Sequence, residues 1–150
     1  VSTKNTILEI KTLAQQIPKK IPYIKTLALF GSQARGDIHA NSDWDFAVFY
    51  DRKIREKIIS NNILANWETP GLLGEIFNIS PDKIDLIDLD CCNPLIANFV
   101  ARDGQLLYES NTGDFLKFQQ SFLMNNYQLS QIKQGLRESI DNFLLEWGLI

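Results

Sequence analysis

Two aspartates one residue apart, Asp43 and Asp45, stand ten residues downstream of a Gly-Ser pair, Gly31-Ser32, and an apolar run borders each half of the pattern. If residues 44–50 form a strand, both carboxylates project to one side, roughly 6 to 7 Å apart at the backbone. Such a pair repels itself unless a cation lies between. Hard oxygen ligands suit Mg²⁺, which keeps several waters and takes one or two carboxylates together with substrate phosphates. At the other end Gly31 has no side chain to block close approach. Ser32 offers a hydroxyl and a backbone N–H where a short helix begins, and such a terminus presents free amide donors to anions. Arg35 is placed to reach a phosphate oxygen. The chemistry implied is a phosphate cradle facing a carboxylate pair. Either half alone is an ordinary turn or a solvated strand start; the joint pattern between apolar strands is far more specific.

The elements that must position these residues follow from periodicity. Ile7, Leu8, Ile10, Leu13 and Ala14 fall at helical spacings, predicting a helix over 3–16 that Pro18 and Pro22 stop. Residues 24–30 read as a buried strand that aims the Gly31-Ser32 turn, and 44–50 as a second strand with Trp44 turned into the core. A helix is expected over 51–66, whose basic residues read as a solvated face or, for Lys53 or a neighbour, as a hold on the nucleotide or an acidic surface of a partner, then a turn at Pro70-Gly71 and a short helix over 72–79. Residues 83–89 read as a third strand, with Asp85 on one face and Asp88 on the other. Asn93-Pro94 resembles a helix start, Gly104 a helix end, and 105–109 a last strand. Beyond residue 112, Phe115, Phe118 and Phe122, then Leu129, Ile132, Leu136, Ile140, Phe143 and Trp147, keep helical spacing. One unbroken helix there would span roughly 50 Å. Either the chain bends near Asn125-Asn126 or part of the stripe projects; the stripe either packs on the sheet or docks another chain.

Gly31-Ser32, ten residues, then Asp43-Trp44-Asp45 resembles the signature of the nucleotidyltransferases related in fold to DNA polymerase beta. The GSQARG wording is most similar to the minimal nucleotidyltransferases, and within these to the MntA-type antitoxins paired with HEPN-domain toxins. The resemblance covers roughly residues 20–110. It implies an α+β fold: a polymerase beta-like small mixed sheet flanked by helices, with a C-terminal helical extension over about 112–150. It also implies transfer of AMP from ATP to a tyrosine of the toxin, with two Mg²⁺ ions as cofactors. Asp43, Asp45 and Asp85 would be the metal-holding and catalytic residues, Asp85 assigned by the family's third carboxylate, with Asp88 as its rival. Gly31, Ser32 and Arg35 would hold the nucleotide. Two alternatives stay open: a small-molecule acceptor, as in aminoglycoside nucleotidyltransferases, and an antitoxin that acts by binding alone.

The 150 residues, 45% hydrophobic, suit one compact domain with a real core. A net charge of −3 argues against a broad basic surface for nucleic acid. Cys91 and Cys92 are adjacent, which disfavours a disulfide and points to a reduced, cytoplasmic compartment. The start has no basic segment leading into an apolar core, and no run approaches the roughly 20 apolar residues that span a bilayer. His39 and the four tyrosines are assigned no chemistry, the tyrosines being read as packing.

Overall fold

The computed structural model describes residues 7–37, 42–60 and 64–149, and of 65–67 the backbone only. His39, Ile63 and the expected helix start at Thr3 lie outside them. Strand β1 (Ile24–Phe30) is buried along nearly its whole length, as its apolar run requires. It pairs antiparallel with β2 (Trp44–Tyr50) on one side and β4 (Gln105–Glu109) on the other. Strand β3 (Ile84–Asp88) adds to β2 in parallel, giving the mixed order β3-β2-β1-β4. A parallel pair needs a long crossover. Helices α4 (Arg52–Ile59) and α5 (Ala65–Phe77) lie on that crossover, whereas between β1 and β2 there is only the short α3 (Gly31–Arg35) and the loop before Asp43.

Alternation divides the core into two layers. Phe46 and Val48 of β2, with Leu27 and Leu29 of β1, pack beneath α1 (Ile7–Leu13), α2 (Ile17–Lys20) and α5, where Phe46 stacks on Phe77 at 5.3 Å. Fully burying each such side chain contributes about 1.5–3 kcal/mol. On the opposite face the sheet presents small residues, Ala28 and Ala47, so that α6 (Pro94–Asp103) and α7 (Asp114–Phe122) approach closely with Ala97, Val100, Phe115 and Phe118. Helix α6 begins as its sequence predicts: Asn93 Oδ1 accepts from Ile96 N–H at 2.9 Å, and Pro94 occupies the first position. Helix α7 has no side-chain cap of its own. The Glu109 carboxylate instead accepts from the N–H groups of Gly113 and Phe115, both at 3.0 Å.

Several expectations change, among them the helix expected over 51–66, which ends at Ile59. Pro18 does not stop the first helical region; it sits in the first turn of α2, where its missing N–H has no partner to lose. Pro70-Gly71 is no turn but lies inside α5. Proline there sacrifices one backbone bond, which burial of Leu73, Ile76 and Phe77 outweighs. The C-terminal stripe divides at the expected bend: α7 packs on the sheet, while α8 (Asn126–Glu146) has no buried residue. Tyr127, read as packing, is 69% exposed.

Candidate active site

The end of β1 and the start of β2 meet where the sequence pattern places its chemistry. Phe30 pairs with Asp45, and Asp45 in turn pairs with Asp85 across the parallel β2–β3 ladder. Asp45 and Asp85 therefore emerge side by side on the face that carries Ala47. Asp43 lies just before the strand, exposed. The consequence is written on Asp45: partial burial raises its carboxyl pKa, the charges of Asp85 and then Asp43 raise it further, and Arg35 opposes them.

Gly31 closes the other side. Its φ of +74° is a left-handed conformation, and a Cβ at this position would collide with Oδ2 of Asp45. Glycine is thus required twice, by the backbone and by the carboxylate against it. Ser32 is half-buried in the first turn of α3, and the helix ends at Gly36, whose N–H donates to Ser32 O at 2.8 Å. Arg35 is exposed. Its Nε donates to Asp37 at 2.9 Å, and Asp103 lies 3.9 Å from its Nη1.

All six candidate residues therefore gather at one end of the sheet, with Arg35 already engaged by carboxylates. Among the described residues, no group of three His, Cys, Asp or Glu side chains is drawn tightly enough to form a metal cage by itself. The acidic trio still fits a hard divalent cation that keeps waters and takes substrate phosphates. Its donors are all carboxylate oxygens, and Asp45 shows a repulsion that such an ion relieves.

Asp88, the rival to Asp85, points from the other face at the far end of β3. There Arg52 Nη2 donates to it at 2.8 and 3.0 Å and to Asp90 at 3.1 Å. Lys53 follows Arg52 in the first turn of α4, a strand's length from Asp45, so the structure does not bring it to the site. Two residues that the sequence reading missed do belong nearby. Gln105 Nε2 donates to Ala34 O at 3.2 Å and steadies α3 from β4, and Asp103 faces Arg35. Neither carries a local signal, because each acts across about seventy residues of sequence.

Residues 10–113 match the family model described as polymerase beta, nucleotidyltransferase. The chain is 51% identical over 144 residues to the protein adenylyltransferase MntA of Aphanizomenon flos-aquae, covering 96% of each. A crystal structure described as a toxin-antitoxin with AMP-PNP superposes with a TM-score of 0.54 at 24% identity, covering 95% of this chain and 98% of that one. The MNT antitoxin in complex with the tri-AMPylated HEPN toxin of Shewanella oneidensis gives 0.53 at 21%, covering 93% and 98%. At those identities the structures speak for the fold. Matched over more than two thirds of its length by the family model and over nearly all of it by a half-identical relative, the chain belongs to the polymerase beta nucleotidyltransferase family, among the MntA protein adenylyltransferases.

Proposed function

We propose that this chain is an antitoxin that transfers AMP from ATP to a tyrosine hydroxyl of a HEPN-type toxin and so silences it. The observation that carries the reading is the carboxylate trio with its mutual repulsion, set against a glycine that leaves room beside Asp45. Phosphoryl-group transfer depends mainly on positioning and charge neutralisation, so such a site needs no protein nucleophile. Asp43, Asp45 and Asp85 would hold Mg²⁺, two ions in the reading from family resemblance. When bound, the metal supplies charge neutralisation at the phosphates and lowers the pKa of the acceptor hydroxyl.

The chain's own residues do the rest. The Gly31 backbone and the Ser32 hydroxyl and N–H hold the triphosphate, and Arg35 joins them by exchanging Asp37 for a phosphate oxygen. The tyrosine oxygen forms a bond to the α phosphorus while the bond from that phosphorus to the bridging oxygen breaks. Pyrophosphate departs, and the tyrosine proton passes to Asp85. The reading is tested by incubating the protein with ATP, Mg²⁺ and the toxin encoded beside it, then weighing the toxin by mass spectrometry. Gain of one or more AMP units, lost on mutating the acceptor tyrosine to Phe, is expected. A stable complex without mass change would replace this reading with inhibition by binding alone.

A further inference from the structure

The longest helix among the described residues buries none of its side chains. This helix, α8, has 21 residues, about 31 Å of helix. Its apolar stripe lies open: Leu136 is 51% exposed, Ile140 57%, Phe143 54% and Trp147 68%. Most helical stability in proteins comes from packing an amphipathic face, and an exposed apolar stripe of this size marks a surface awaiting a partner. Its root, in contrast, is fixed. Met124 N–H donates to the buried Asn98 Oδ1 at 2.8 Å, and Asn125 and Gln128 close a capping box.

Beside that root lies a cleft of about 350 Å³. It is walled by Phe49, Phe118 and Phe122, with Lys25 and Lys117 at its edge. It opens at the end of the sheet away from Asp45, since Thr26 and Phe49 pair there. Two acids also line it: Asp90 shares Arg52 with Asp88, at 3.1 Å, and Asp114 accepts a hydrogen bond from the neutral amide of Asn111 at 3.4 Å. Among the described residues neither lysine has an ion pair. The cleft is thus an aromatic slot that carries two lysines without an ion pair among the described residues, beside two acids.

The far end of α8 has the complementary character. Past Arg137 every charged residue is acidic, namely Glu138, Asp141 and Glu146, and Phe143 lies against Trp147 at 5.8 Å between ring centres. The tip cannot enter its own cleft, because the unbroken helix carries it about 30 Å from the root beside which that cleft lies. A second copy can receive it. When two such arms run antiparallel about a two-fold axis, each tip arrives at the other's root and the two stripes cross near Leu136 and Ile140.

We propose that this chain forms a two-fold dimer by reciprocal arm exchange, the Phe143/Trp147 tip of each α8 seating in the Phe49/Phe118/Phe122 cleft of the other copy with Glu146 facing Lys117. The contact is isologous and closes on itself, so it gives a dimer rather than a filament. Phe143 and Trp147 of each tip can bury roughly 150–250 Å² apiece when fully covered, and Leu136 and Ile140 add to that. Two arms with the cleft walls they cover therefore reach the roughly 1,200–2,000 Å² of a stable interface. Both Asp43/Asp45 ends stay open.

The test is the solution mass of this chain alone at micromolar concentration, by light scattering and sedimentation. A species of twice the 17.2 kDa chain mass is expected. Lys117→Glu and Glu146→Lys should each weaken it at least tenfold, and the double variant should return to within about threefold of the wild type. Circular dichroism of each variant verifies that the helix content is kept. A monomer at all concentrations overturns the proposal, also where the toxin protects α8 from hydrogen exchange, since the arm then belongs to the heteromeric partner. A dimer unaffected by either single reversal, or a double variant no better than the singles, overturns it as well.

Discussion

Strand β3 carries two aspartates, and their surroundings differ in one respect that separates scaffold from site. Asp88, with Asp90, receives Arg52 at 2.8 and 3.1 Å, so the protein supplies the neutralising cation itself. Asp85 joins Asp45 and Asp43, and Arg35, the cation that acts on Asp45 among the described residues, is already bonded to Asp37 at 2.9 Å. Identical side chains three residues apart thus meet opposite fates. One cluster is complete as folded; the other stays short of positive charge until something from solution brings it.

That contrast sets the order of effects. The largest belongs to the pair itself: Asp45→Asn or Asp43→Asn should lower AMP transfer at least a thousandfold, more than about 4 kcal/mol of transition-state stabilisation, in a labelled-ATP assay. Next comes the rivalry on β3. Asp85→Ala should cost at least a hundredfold and Asp88→Ala less than threefold, and the reverse ranking would break the contrast outright. Gly31→Ala should reduce transfer tenfold or more and destabilise the fold by about 1–2 kcal/mol in urea, since the new methyl meets the Asp45 carboxylate at positive φ. Asp88→Ala should act on stability instead, lowering it by up to about 1 kcal/mol for a partly exposed ion pair.

The smallest effect is the sharpest in sign. Because the folded-state pKa of Asp45 is raised, by burial first and then by Asp85 and Asp43, the folded protein binds more protons than the unfolded chain between the ordinary value and the raised one. Its contribution to metal-free stability is therefore fully present below the unfolded pKa of 3.8 and is lost as pH rises through the folded pKa. At neutral pH Asp45→Asn should make the metal-free protein slightly more stable while abolishing transfer. Urea titrations at pH 7 and pH 4 with chelator check it: the gain should shrink at the lower pH.

What could be read from the chain tracks how local each cause is. The two carboxylates, the Gly-Ser bend and the strands between which they lie are fixed by neighbours in sequence, and the ladder that sets Asp45 beside Asp85 agrees with the face expected for Asp85. Pro18 and Pro70 were misread because proline was taken as a stop. Its cost depends on whether the position needs an N–H and on what the following side chains bury. Asp103 and Gln105 are invisible to local pattern because their roles exist only once β4 lies beside β1. The stripe of α8 was legible as a helix, with packing and projection both left open, since periodicity shows that a face is apolar and never what covers it.

The most direct measurement is Mn²⁺ binding followed by electron paramagnetic resonance, with AMP-PNP present, for the wild type, Asp45→Asn, Asp85→Ala and Asp88→Ala. Wild type and Asp88→Ala should bind the ion alike, while Asp45→Asn and Asp85→Ala bind it at least tenfold more weakly. Undiminished binding in Asp45→Asn and Asp85→Ala, or its loss in Asp88→Ala, would contradict the assignment of the uncompensated trio as the metal and nucleotide site.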